Sequence, residues 1–148
     1  MAPLLELSGV TIAFGDLPVV EALDLSIAPG ESLGVVGESG SGKSMTALAV
    51  MGLLPEGAAL SGRMAFEGQA LTAARQAQLR GTRIAMVFQE PMTSLNPVLT
   101  VGEQIAETLR AHGLARSAAA AREEAIVLLR RVGIPSPEKR VDDYPHQF

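Results

Sequence analysis

The chain has 148 residues, 47% hydrophobic and 19% charged, and 12 Lys and Arg against 16 Asp and Glu give a net charge of −4. That mixture can bury a core at this length and excludes a disordered polyelectrolyte, while the mild acidity removes the charge that would make nucleic-acid binding the default. Cysteine is absent, which excludes disulfides, thiol nucleophiles and cysteine-held metals.

Residues 1–6, Met-Ala-Pro-Leu-Leu-Glu, carry no basic n-region, so no secretory signal is expected. Leu5, Leu7, Val10 and Ile12, then Val20, Leu23, Leu25 and Ile27, alternate roughly with polar neighbours around a turn at Gly15-Asp16-Leu17-Pro18. This predicts an antiparallel pair of strands. Ser32-Leu33-Gly34-Val35-Val36 is a nearly continuous apolar run and predicts a strand buried on both faces. A helix is expected from Lys43 through Leu53, stopped by Pro55. Its apolar run over residues 47–54 contains Gly52 and is far too short to span a membrane.

Further on, residues 63–67 predict a short strand, residues 73–79 a polar helix and residues 83–88 a second buried strand. Residues 89–97 read as a linker bounded by Pro91 and Pro97. Thr100-Val101-Gly102-Glu103 is a capping-box pattern opening a helix with Val101, Ile105 and Leu109 on one stripe. A second helix over residues 117–132 places Ala121, Ala125, Leu128, Leu129 and Val132 together, with Gly133 as its stop. Ser136-Pro137-Glu138 predicts one more helical turn with Ser136 as its cap.

The chemistry concentrates in Gly37-Glu38-Ser39-Gly40-Ser41-Gly42-Lys43-Ser44, a full match to G-x-x-x-x-G-K-[ST]. Glycines let successive backbone N–H groups turn inward around an anion, and the following helix aims its positive end at the same point. Lys43 is expected to reach the β- and γ-phosphates and the Ser44 hydroxyl to ligate Mg²⁺. The loop alone leaves kinases, GTPases, helicases and transporters open. No Asn-Lys-x-Asp base reader is present, and Arg122, Arg130 and Arg131 lie in helices without a glycine-rich lid.

Three segments carry a resemblance: the loop itself, Val87-Phe88-Gln89-Glu90-Pro91, and Tyr144-Pro145-His146-Gln147-Phe148. They resemble, in order, the Walker A loop, the Q-loop and the lead-in to the signature motif of ABC transporter ATP-binding subunits. The run Phe88-Gln89-Glu90-Pro91-Met92-Thr93-Ser94-Leu95-Asn96-Pro97 is similar to the oligopeptide, dipeptide and nickel importer branch. The resemblance implies an α/β P-loop nucleotide hydrolase of ABC type. Residues 1–98 would hold an N-terminal antiparallel β part and an incomplete P-loop core, and residues 99–148 an α-helical subdomain.

It further implies ATP and Mg²⁺ as ligands, with Gln89 on the metal or the attacking water. Phe14 would stack on adenine, and the nucleotide would contact residues 37–45, Met45 standing where a threonine is common in the family. The implied partners are transmembrane permease subunits, a second ATP-binding subunit (identical or related), and indirectly a periplasmic or extracellular solute-binding protein, with no nucleic acid. The implied location is peripheral, at the cytoplasmic face of the inner membrane. Met92, Leu95 and Val98 are candidates for partner contact, and His146 reads as a loop residue rather than a base. The family continues with a Ser-Gly-Gly signature, a Walker B aspartate with its catalytic glutamate, and a switch histidine, none found within these 148 residues. The expectation is therefore a chain that binds nucleotide, does not turn it over alone, and leaves apolar sheet edges open. A truncated, non-catalytic nucleotide-binding remnant is the alternative.

Overall fold

A computed structural model describes residues 2–88 and 94–148, which divide into two compact units, Met1–Met86 and Val87–Phe148. The first unit is built on an antiparallel sheet in the order β2-β1-β3-β4, from β1 (Leu5–Phe14), β2 (Leu17–Ile27), β3 (Ala58–Phe66) and β4 (Gln69–Ala70). The β1–β2 pair forms as expected, with Gly15 at φ +57° in the turn and Leu7 opposite Leu25, Ile12 opposite Val20 and Phe14 opposite Leu17.

The interruption in the alternation of β1 is a bulge. Leu7 and Val10 are three residues apart yet both buried, because Gly9 takes φ +58° and the register shifts between them. The Gly9 N–H donates to Asp24 Oδ1 at 2.7 Å, so β2 pins the bulge. Leu7, Val10 and Ile12 then pack with Phe66, Leu71, Ala49 and Val50 into one core.

Helix α1 (Lys43–Met51) stops two residues earlier than its apolar pattern suggested. Gly52 turns left-handed at φ +65°, its N–H donates to the Ala49 carbonyl, and the Leu53 N–H donates to Leu48. Helix α2 (Ala73–Leu79) follows the expected span, with the Thr72 hydroxyl accepting from the Arg75 N–H at its start.

Two expectations fail. Residues 32–36 form no strand, and Leu33, Val35 and Val36 are 45%, 57% and 94% exposed. Residues 83–88 form none either, beyond a single parallel bridge between Arg80 and Ile84, and Val87 is exposed. Strands buried on both faces need hydrogen-bonding neighbours and a layer on each side. Among the described residues neither segment has a strand beside it. What lies there instead is an apolar groove of about 300 Å³ along α1, lined by Leu25, Leu33, Val35, Val50, Ile84 and Met86 among others.

The second unit is helical: α3 (Val101–Ala111), α4 (Ala118–Arg131) and α5 (Pro137–Arg140), followed by a 3₁₀ turn at Pro145–Gln147. The capping box is present, with Glu103 N–H donating to Thr100 Oγ1 at 3.2 Å and Thr100 N–H to Glu103 Oε2 at 2.8 Å. Donation from Thr100 keeps the Glu103 carboxyl below the usual carboxylate range: the Thr100 backbone N–H leads, then its hydroxyl, against desolvation and the charge of Asp142. Val101, Ala125, Leu129 and Val141 form the core, with Ile105 and Ile126 packed partly buried against it.

Val132, expected on the buried stripe, is 75% exposed because α4 ends at Arg131 and Val132 is already its cap. Ser136 precedes α5 as expected, but its hydroxyl makes no cap. Its backbone is left-handed at φ +51°, and its carbonyl accepts from Lys139 and Arg140 instead. Gln104 closes residues 96–104: its Oε1 accepts from the Asn96 N–H at 2.8 Å and its Nε2 donates to the Asn96 carbonyl at 3.0 Å.

Candidate functional site: the phosphate loop

The loop is exposed over residues 37–41 and buried at Gly42, the head of α1, with Gly40 and Gly42 both at φ +83°. L-residues are strained in that conformation, and glycine is not. At Gly42 space matters as much as torsion, since a Cβ would lie 2.5 Å from the Val19 carbonyl oxygen and 2.6 Å from Val20 Cγ2. The loop is therefore seated on β2 where β2 pairs with Ile12. Phe14 sits two residues further along β1, at the last pair of the hairpin, partly exposed.

Gly42 is the N-cap of α1 and supplies no side-chain acceptor. The first-turn amides of Lys43, Ser44 and Met45 have no partner within the helix by its geometry, so an external acceptor can use them. Thr46, which the motif did not single out, ties this turn down. Its N–H and its hydroxyl both donate to the Gly42 carbonyl, at 2.9 and 3.1 Å.

Lys43 lies back across the loop. Its ammonium donates to the carbonyls of Gly37 at 2.8 Å and Glu38 at 2.7 Å and to Ser41 Oγ at 3.1 Å. A Cβ at Gly37 would fall 2.7 Å from that Ser41 hydroxyl, so a side chain there would have to turn the Ser41 hydroxyl away. The geometry thus joins Gly37, Glu38, Ser41 and Lys43 by hydrogen bonds and leaves Ser39, Gly40 and Ser44 open to solvent. Met45 turns its side chain into the core beneath. Gln89 lies outside the described residues. Among the described residues no three His, Cys, Asp or Glu gather where they could hold a metal.

The family model for ABC transporters matches residues 20–148. The chain belongs to the ABC transporter family. Its peptide-transport relatives include the oligopeptide transport ATP-binding protein OppD of Bacillus subtilis (strain 168), 44% identical over 154 aligned residues, covering 98% of this chain and 43% of OppD. The dipeptide transport ATP-binding protein DppD of Escherichia coli (strain K12) is 43% identical over 153 residues, covering 98% of this chain and 46% of DppD. The chain thus spans less than half the length of these relatives. Among solved structures, cbiO1 from Clostridium perfringens, part of the ABC transporter complex cbiONQ, aligns over all of this chain and 56% of its own. The TM-score is 0.71 at 21% identity, which establishes the ABC ATPase fold. Both of these peptide-transport relatives are ATP-binding proteins.

No helix among the described residues is long and apolar enough to cross a membrane. Two residues outside every motif also hold α1. Gln76 of α2 and Arg80, its C-cap, grip the far end of α1. Neither belongs to a motif, so only the folded packing reveals them.

Proposed function

We propose that this chain is the nucleotide-gripping part of an ATP-binding subunit that couples ATP to import of peptides or a related solute. The observation that carries the reading is the Lys43 ammonium, held on the loop carbonyls directly beside the open first turn of α1. Resemblance to peptide-transport ATP-binding proteins across nearly the whole chain supports the choice of solute.

On this reading a triphosphate takes the open amides of residues 43–45, and Lys43 turns from the Gly37 and Glu38 carbonyls to the β- and γ-oxygens. A charge-assisted contact to phosphate is stronger than one to a neutral carbonyl, so the exchange favours the bound state. Phe14 offers an aromatic face at the hairpin end for adenine. The exposed Ser44 hydroxyl, with Gln89, would hold Mg²⁺, which when bound neutralises charge between the β- and γ-phosphates. Residues 1–98 act as the ATPase core portion and residues 99–148 as the helical subdomain facing the permease. A second ATP-binding subunit and an indirectly linked solute-binding protein complete the assembly at the cytoplasmic membrane face.

Hydrolysis needs an acidic second metal ligand and a group that positions water. The Walker B aspartate, its adjacent glutamate and the switch histidine that the resemblance implies are not found within these 148 residues, so this chain by itself is expected to bind MgATP without steady-state turnover. Calorimetric titration with MgATP tests the grip: Lys43→Ala should weaken affinity about tenfold or more. Equal binding by the variant would sink the reading. The import role is tested by a chimera in which residues 1–148 replace the matching part of OppD in cells lacking that subunit. Restored peptide uptake is expected. A chimera that is expressed and binds ATP but restores none would exclude peptide import.

A further inference from the structure

Helix α1 has nine residues, shorter than the roughly 12–15 at which an isolated helix becomes even marginally stable in water. Its direction is therefore set by what holds its two ends. The N-terminal end, at the phosphate loop, rests on β2 at Gly42 and has no side-chain cap, so its first amides are left without a helical partner. The C-terminal end is fully tied, and every one of its last four carbonyls can be accounted for.

Leu48 accepts from the Leu53 N–H at 2.8 Å, and Ala49 from the Gly52 N–H at 3.0 Å. The remaining bonds come from one side chain of α2 and that of its C-cap residue. Gln76 Nε2 donates to the carbonyls of Ala49 at 2.8 Å and Val50 at 3.1 Å, and Arg80 Nη1 donates to Met51 at 2.9 Å and Gly52 at 3.1 Å. Gln76 is the buried polar residue of the core, 6% exposed among the described residues. Its amide orientation is fixed by chemistry, because only the nitrogen can donate to two carbonyls. A buried amide of this kind is retained only where its hydrogen bonds are made.

The fit is also steric. A Cβ at Gly52 would lie 2.5 Å from Gln76 Oε1 and 2.9 Å from Gln76 Cδ, so Gly52 is bare both for its torsion and to admit the amide. Gln76 and Arg80 are four residues apart, and the Arg80 N–H donates to the Gln76 carbonyl at 3.0 Å, which brings both side chains to the same end of α1. Arg80 adds a positive charge at the negative end of the α1 dipole.

We propose that Gln76 and Arg80 are positioning residues for nucleotide binding: they fix the axis of α1 and so aim the amides of residues 43–45 and the Lys43 stem at the phosphates. This rests on the phosphate-loop reading given above. Neither residue touches the nucleotide, and their effect passes through a rigid nine-residue rod. Loss of the clamp leaves the folded core in place but lets the loop end of α1 wander.

The test is MgATP and magnesium tripolyphosphate affinity of the 148-residue chain, at a temperature where circular dichroism shows each variant folded. Arg80→Met and Gln76→Leu should each weaken both ligands about fivefold. Arg80→Lys, which keeps a charged donor, should recover most of the loss. Val10→Ala removes volume from the same core but leaves the Gln76 and Arg80 hydrogen bonds intact, and should lower the unfolding midpoint without changing affinity. In ¹H–¹⁵N spectra the amides of residues 43–45 should shift less on tripolyphosphate addition in Arg80→Met than in the wild type. If both clamp variants bind like wild type, or Val10→Ala weakens binding as much as they do, the positioning role is overturned and the phosphate-loop reading stands. If wild type shows no Lys43-dependent binding, both fall together.

Discussion

Strand β1 and residues 32–36 are built from the same kinds of residue, yet one is the centre of a sheet and the other is bare. Leu7, Val10 and Ile12 of β1 are at most 2% exposed, whereas Val36 is 94% exposed. Composition does not separate them. What separates them is that β1 has β2 on one side and β3 on the other, while residues 32–36 have no strand beside them among the described residues. An apolar β-rich run specifies a need for partners, and only the presence of the partners makes it a strand.

The largest expected effect lies on the partnered side. Ile12→Ala empties a position at the middle of the first unit's core and should cost about 3 kcal/mol, within the usual range for large-to-small core changes. A urea titration followed by far-ultraviolet circular dichroism should show a lower midpoint at unchanged slope. A loss below about 1 kcal/mol would mean that β1 is no better anchored than residues 32–36.

A smaller effect tests a partnership that is entirely local. Thr100→Ala removes the side-chain cap of α3 and should cost about 1 kcal/mol. The same box carries a pH signature. Because Thr100 holds the Glu103 carboxyl below its unfolded value, the stabilisation is complete above the unfolded carboxylate pKa and is lost as pH falls through the lower folded one. Stability of the second unit should therefore fall with acidification more steeply in wild type than in Glu103→Gln. Parallel profiles across the acid range would remove the capping carboxylate from the account.

These distances explain what could be read in advance. Thr100 and Glu103 are three residues apart, the residues of the phosphate loop are contiguous, and the β1–β2 turn joins neighbours in sequence, so their patterns could be recognised from the chain itself. The Gly9 bulge was visible only as a broken alternation, because its anchor Asp24 is 15 residues away. Gln76 and Arg80 gave no signal at all. Their acceptors lie 26 to 29 residues upstream, and nothing in a polar Ala/Gln-rich helix marks which amide will be buried. Residues 32–36 and 83–88 were misread for the complementary reason: their apolar pattern was plain, and the neighbours it calls for are not among the described residues.

The smallest expected effect is the most discriminating for the opening contrast. Val36→Asp replaces a side chain that is almost wholly in water, so no buried apolar area is lost and no cavity is made. The change in unfolding free energy should stay within about 0.5 kcal/mol, as for surface substitutions generally. Self-association should decrease, because Val36 belongs to the same exposed apolar run as Leu33 and Val35, which border the groove along α1. Sedimentation and urea titration of the variant beside wild type measure both quantities. If Val36→Asp instead lowers stability by more than about 1 kcal/mol, the segment is paired in solution. A concentration-dependent loss would identify a second copy as the neighbouring strand, and a concentration-independent one would place a strand within the chain itself. In either case the distinction between β1 and residues 32–36 would be one of partner supply rather than of structure, and the groove along α1 would be a site already filled.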